Sequence, residues 1–311
     1  MKLSIIIINY NCSDILDRCL NSIQYDKPYE VIIIDNDGTL KHRKFKQKNI
    51  SVVPYTRNLG FAKANNIAIG KAKGEYILTL NADAFLTKSY IKACIQFLEK
   101  EPHYSSVQGK LLFYYKKNHI DSTGHILSFY RFAKNENQYT PDRYTISKEV
   151  FGVCAAAAVY RRSALERIKI NNEYFDSDFF AYLEDVDLDW RMKIAGYKAY
   201  FINKALSYHI RELTTNAAYR LKLSIRNRLF MIIKNDSILS VIINIIAYLP
   251  FFFFLPDLKS NLRKMMAMFR KRKLVQSKRN IPHRKIAEWF ENTNILEPFY
   301  ILKLLLLSYR K

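Results

Sequence analysis

Four carboxylates fall within six residues in the stretch Glu184-Asp185-Val186-Asp187-Leu188-Asp189, which runs on into Trp190-Arg191. Such a run repels itself unless a cation or a proton is close by. An acidic helix start, stabilised by the helix dipole, is one reading. The other is a carboxylate beside apolar surface, whose raised proton affinity suits a general base. The aromatic residues Phe179, Phe180 and Tyr182 just before the run favour the second. Asp185, Asp187 and Asp189 imitate the opening of an EF-hand loop, but Trp190 stands at the turn and Gly196 at the closing position, so that calcium site is excluded. Asn81-Ala82-Asp83 offers further oxygen donors, although Asn-x-Asp is also ordinary turn chemistry. Asp35 and His209 are isolated polar residues beside apolar runs, and neither carries chemistry alone.

The surrounding elements bring these residues to one edge. Residues 3–8 form a continuous apolar, β-branched run that reads as a buried parallel strand and ends in Asn9-Tyr10-Asn11. Residues 31–34 repeat the pattern and end in Asp35-Asn36-Asp37; residues 76–80 do so again and end in Asn81-Ala82-Asp83. A short strand is expected at 51–53, and helical spacing covers 14–23, 61–72 and 90–98. This alternation predicts an α/β fold, a mostly parallel sheet with helices on both faces. Ligands of such sheets bind beyond the carboxyl ends of the strands. No strand is followed by GxGxxG, which weakens a dehydrogenase reading. Further on, strands are expected at 107–115, 150–160 and 197–202, a polar aromatic loop at 118–145, and helices at 163–168 and 184–195. From residue 216 the pattern is helical.

Taken in order, residues 4–11, residues 30–37, Asn58-Leu59-Gly60-Phe61-Ala62 through Asn65-Asn66, residues 74–83, and residues 179–191 followed by Ala195-Gly196-Tyr197 and His209 resemble a family 2 glycosyltransferase. The resemblance is closest to the family's rhamnosyltransferase-like branch, and Arg226-Asn227-Arg228 fits that branch's next helix. It implies a GT-A fold, a nucleotide-sugar donor, a divalent cation (Mg²⁺ or Mn²⁺) and inversion at the anomeric carbon. Asp185 matches the catalytic base. Glu184, Asp187 and Trp190 would contact the acceptor. Tyr10 and Asp35 match residues that stack on and hydrogen-bond the nucleotide base, and Asn58, Gly60 and Asn66 match residues near the donor. Asp83 and His209 match metal ligands. Asn81 stands where the family often has a first Asp, as a neutral contact to ribose or metal.

Composition bounds the partners. Of 311 residues, 49% are hydrophobic and 25% charged, which excludes general disorder. The net charge of +22 points to an anionic partner. It is uneven: residues 1–215 hold 31 basic and 23 acidic residues, whereas 216–311 hold 19 and 5. Residues 238–255 are apolar but broken by Ser240, Asn244 and Pro250, and the next thirty are strongly basic. The pattern suits a helical membrane-associating module on an anionic lipid surface, at the cytoplasmic face. Three regions follow: a nucleotide-sugar-binding half at 1–110, an acceptor-binding and catalytic half at 111–215, and the C-terminal module at 216–311. Four scattered cysteines make neither a disulfide framework nor a zinc signature. Residues 3–8 are too short for the apolar core of a signal peptide, so none is expected. The expected partners are therefore a nucleotide sugar, a glycan or lipid-linked glycan acceptor and a membrane surface, with no nucleic acid. The competing readings are a basic nucleic-acid-binding protein and a non-catalytic glycan-binding relative.

Overall fold

The computed structural model describes residues 1–143, 146–211, 217–252 and 257–291. The first half alternates as expected: β1 (Leu3–Asn9), α1 (Leu16–Ser22), β2 (Tyr29–Asp35), β3 (Ile50–Pro54), α2 (Phe61–Lys71), β4 (Tyr76–Asn81), a short β5 (Ala84–Leu86) and α3 (Tyr90–Lys100). Strand β1 is buried on both sides because both sides are covered. Ile5 and Ile7 join a core with α1 and α3, while Ile6 joins one with α2. Ala62, Ala64 and Ala68 line the buried side of α2, and such small side chains allow close approach to a sheet.

The second half contains β6 (Tyr104–Phe113), β7 (Ile120–Ser122), β8 (His125–Ser128), β9 (Ala133–Asn135), β10 (Lys148–Val150), β11 (Ala157–Arg161), α4 (Arg162–Ile168), α5 (Glu184–Ile194) and β12 (Lys198–His209). Along the main sheet the order is β10-β12-β6-β11-β4-β1-β2-β3, with β5 on β12 and β7 on β6. Strands β1 to β4 are parallel, but β11 runs antiparallel to both β4 and β6. The sheet is therefore mixed, where a mostly parallel one was expected. The register aligns Asn9 with Asp35 and Ile8 with Asn81, so three polar strand ends share one edge.

Two expectations are corrected here. The region read as a loop at 118–145 contains β7, β8 and β9, strands too short for periodicity to show. Of the expected strand at 150–160, only β10 ending at Val150 and β11 from Ala157 pair in the sheet, and between them Cys154, Ala155 and Ala156 line a cleft.

Among the described residues four helices follow: α6 (Ala217–Asn235), α7 (Ile238–Phe252), α8 (Leu258–Gln276) and α9 (His283–Ala287); β13 (Phe290–Glu291) then joins β8 and β9 in a small second sheet. Among the described residues no helix is long and apolar enough to cross a membrane. Residues 253–255, the end of the apolar run, lie outside the described residues. Helices α6 and α8 share an apolar core with α5, in which Phe230, Met231 and Met268 meet Val186 and Trp190. At its edge lies a buried ionic network. Lys234, with no exposed surface, donates to Asp176 at 2.6 Å and to the Asp187 carboxylate at 2.9 Å. Arg191 and Asn235 complete Asp187, at 2.9 and 2.8 Å, and Lys271 bridges Asp176 and Asp178. Burial pushes the Asp176 carboxyl up, but Lys234 and Lys271 outweigh it and hold it well below the usual carboxylate range. Breaking such a pair strands a buried charge. Lys234→Met should therefore cost about 3–5 kcal/mol of unfolding free energy in urea titrations; a loss under about 1 kcal/mol would contradict the network's role.

Candidate active site

A cleft of about 860 Å³ opens at the polar edge of the sheet. Tyr10, Asn58, Gly60, Asn81, Asp83, Glu184, Asp185 and His209 all line it. Asp35, Asn66, Asp187 and Trp190 do not; each is held behind it.

At the strand ends, the fully buried Asp35 accepts from Leu40 N at 3.0 Å and from Asn9 Nδ2 at 3.4 Å, fixing the loop after β2. Burial, with Asp37 adding to it, raises its proton affinity. Asn36 donates to Asn58 at 3.0 Å and accepts from Leu59 N, which sets the turn leading to Gly60. Gly60 has φ +79°, and a Cβ there would lie 2.5 Å from the Phe180 ring. Only glycine allows this approach. Asn66 accepts from Tyr174 N and Phe175 N and donates to Phe175 O, clamping the chain that leads to α5.

One end of the cleft joins Asp83, Asn81 and His209. The imidazole Nε2 stands 3.3 Å from Asp83 Oδ1 and 3.4 Å from Asn81 Nδ2. Nδ1 is 2.8 Å from Oδ2 of Asp121, which has no exposed surface. Arg211 N donates to Asp83 Oδ2 at 3.2 Å, and the Arg211 guanidinium meets Asp121 at 3.2 Å. Burial pushes His209 down, but Asp83 and Asp121 bring it up to about 10; burial pushes Asp83 up, and His209 more than offsets it. Asp83 and His209 Nε2, with Asp121 behind Nδ1, are a carboxylate–imidazole pair that suits a divalent cation once the ring gives up its proton. His125, Cys154 and Asp185 form a second compact set, their ligand atoms all within 4.8 Å of one another.

A second polar group in the cleft is Asp185, at the start of α5. Its Oδ1 accepts from Val186 N at 2.9 Å and its Oδ2 from Ala155 N at 3.3 Å, and its side chain stays 17% exposed in the cleft. Phe180, Tyr182 and Leu183, which lead into it, all have positive φ (65°, 71° and 64°). Such strain costs on the order of 1–3 kcal/mol per residue and persists only where neighbours impose it. Asn227 imposes it here: its Nδ2 donates to the carbonyls of Phe179, Ala181 and Tyr182 at 2.7–2.9 Å. Glu184 is buried, with one oxygen unpartnered among the described residues; burial and then Asp185 push its carboxyl well above the usual range. Asp187 belongs to the Lys234 network, and Trp190 packs edge-on against Phe151 and Phe290 at 6.3 and 5.4 Å.

The Asp185 and Asp83 groups are neighbours across one strand entry. Ala155 N donates to Asp185, and the next residue, Ala156, accepts from Asn81 N at 2.9 Å. The sequence reading missed Asp121, His125 and Arg211, and it took Asp189 only as one of an acidic run. The available signal was Asp121-x-x-x-His125 around Gly124, in a stretch taken for loop.

The profile of the family described as Glycosyl transferase family 2 matches residues 4–169. An uncharacterized glycosyltransferase of Haemophilus influenzae is 32% identical over 117 residues, which is 35% of this chain and 36% of that protein. The chain thus spans about a third of that relative. Rhamnosyltransferase WbbL of Escherichia coli is 24% identical over 213 residues, 64% of this chain and 79% of its own. Among solved structures, GalNAc-T7 with UDP, GalNAc and Mn²⁺ matches with a TM-score of 0.59 at 15% identity, over 75% of this chain and 47% of its own. Staphylococcus aureus TarS (1–349) matches at 0.53 and 18% identity, over all of this chain and 89% of its own. These likenesses establish a GT-A-type fold. With more than half of its length matched by the family profile, the chain belongs to glycosyl transferase family 2.

Proposed function

We propose that the chain transfers a sugar, with inversion, from a nucleotide-diphosphate sugar (UDP-, dTDP- or GDP-linked, with rhamnose favoured) to a hydroxyl of a lipid-linked glycan. The observation that carries this reading is the proximity of two chemically opposite groups. Asp185 lines the cleft and accepts from Ala155 N, and the Asp83–His209 pair adjoins Asn81, whose N–H donates to Ala156. Asp185 accepts the acceptor's hydroxyl proton while the oxygen forms its bond to the anomeric carbon. The bond from that carbon to the diphosphate breaks on the opposite face, and the nucleoside diphosphate leaves with the electron pair. Asp83 and His209, with Asn81 as a neutral third donor, would hold Mg²⁺ or Mn²⁺, which offsets the charge growing on the leaving diphosphate. Arg211, which lines the same end, adds a fixed positive charge. Tyr10 and Asn58 border the nucleotide side, and Glu184 the acceptor side. Asp35, Asn66, Asp187 and Trp190 act from behind the cleft, through the loops they hold.

His125–Cys154–Asp185 is the weaker cation site. His125 Nδ1 is 2.7 Å from Asp189, its Nε2 faces Asp185 at 3.5 Å, and a cation on Asp185 would occupy the base. The similarity to WbbL, named a rhamnosyltransferase, supports rhamnose as the sugar. A peripheral site at an anionic membrane, on the cytoplasmic face, fits the C-terminal helices. Ile238, Leu239, Ile242, Ile243 and Ile246 leave one face of α7 exposed and uncharged. On α8, Lys259, Arg263, Arg270 and Lys273 are exposed among Leu262, Met266 and Phe269. Apolar insertion flanked by basic residues is how interfacial helices hold anionic lipid.

Asp185→Asn should lower turnover by about 10²–10⁴-fold while donor affinity stays within about 2-fold of wild type, as read by steady-state kinetics and calorimetric titration. Full turnover in that variant would refute the base. For the membrane, the protein should co-sediment with phosphatidylglycerol vesicles and not with phosphatidylcholine ones. Binding should fall as salt rises, and Ile242→Glu with Ile246→Glu should weaken it. Equal binding to both vesicle types would contradict the anionic-surface reading.

A further inference from the structure

Both working groups of the cleft are backed by one short piece of chain. Asp121, in β7, places Oδ2 2.8 Å from Nδ1 of His209, whose Nε2 faces Asp83 at 3.3 Å. Four residues on, His125 opens β8 and places Nε2 3.5 Å from Oδ2 of Asp185. Its own Nδ1 is held by Asp189 at 2.7 Å. Asp121, His125 and Asp189 are almost wholly buried, so their geometry is set by packing. Asp121 is fixed further by Gln138 at 2.9 Å and by Arg211, and Asp189 by Val153 N at 2.9 Å. Room for Asp189 is provided by Gly152, where a Cβ would overlap the carboxylate at 2.0 Å.

We propose that residues 121–125 form a two-headed positioning element, in which Asp121 aims His209 at Asp83 and His125, braced by Asp189, holds Asp185 in its cleft-facing position. The proposal rests on the reading of those two groups as cation ligands and base. Its physical content is that each buried partner fixes the orientation of one working side chain. Buried partners of ligating imidazoles typically change metal affinity by about 10–100-fold when removed. The two heads make separable demands. Loss of Asp121 should disturb the cation end alone, and loss of His125 the base end alone.

The test uses the full chain with D121N, D189N, H125N and H125Q. Asparagine can replace the Nδ1 contact of His125 but does not reach Asp185; glutamine can reach it. Mn²⁺ alone, titrated by electron paramagnetic resonance, should bind D121N about 10–100-fold more weakly than wild type and bind the His125 variants normally. In hydrolysis of the UDP-, GDP- or dTDP-sugar that wild type turns over, H125N should lose at least about 10-fold in kcat with donor KM within about 2-fold, and H125Q should recover most of the loss. Histidine-selective ¹⁵N spectra need no substrate: D121N should shift the His209 ring nitrogens and D189N those of His125, without crossing. If D121N misfolds, D121S takes its place. Normal Mn²⁺ affinity in D121N, equal kcat in H125N and H125Q, or unshifted ring nitrogens would each overturn the proposal. Absence of turnover in wild type, with the ring shifts as expected, would instead overturn the transferase reading and leave the element standing.

Discussion

The active cleft depends on a charge that water never reaches. Lys234 lies with no exposed surface between Asp176 and Asp187, and it comes from a helix far along the chain from both. A buried ammonium is tolerated only if its partners return what hydration would have given. Here they do, and the requirement locks α6 against α5 and against the turn before it. The same helix supplies Asn227, which holds the left-handed backbone at Phe180, Tyr182 and Leu183. The loop that presents Asp185 is thus strained locally and held from elsewhere. A base at Asp185, as proposed, would be preorganised, because Asn227 and Lys234, which support the loop, are buried.

The acidic run therefore divides its labour. Asp185 faces the cleft, Glu184 is buried beside it, Asp187 ties α5 to the C-terminal helices, and Asp189 braces His125. Burial raises the Asp189 carboxyl to about 7, against the pull of His125, and burial pushes Glu184 up as well. Environment separates groups that sequence makes look alike.

Much of this was legible in residue order. Apolar β-branched runs marked β1, β2 and β4, and the polar residues closing them marked the cleft edge. Asp185, Asp83 and His209 were singled out by motif. What escaped was whatever depends on long-range contact. Strands of three or four residues at β7 to β9 have no readable period, so Asp121 and His125 stayed hidden in an apparent loop. Asn66 and Asp35, which match ligand contacts in sequence, also hold backbone groups of Tyr174 and Leu40, pairings between separate segments that residue order does not display. Basic residues in the C-terminal third also have two uses that composition merges. Lys234 and Lys271 neutralise buried carboxylates of the catalytic unit, whereas Lys259, Arg263, Arg270 and Lys273 face outward.

The central claim is that the cleft binds a nucleoside diphosphate through a cation held at Asp83 and His209, beside the base Asp185. Thermal denaturation with UDP, GDP or dTDP, with and without Mn²⁺, in wild type and Asp83→Asn tests it most directly. Wild type should be stabilised by one of the nucleotides only when Mn²⁺ is present, by about 2.7 kcal/mol at a hundred-fold excess over Kd, and Asp83→Asn should lose that gain. Stabilisation of equal size without Mn²⁺, or unchanged in Asp83→Asn, would contradict the account.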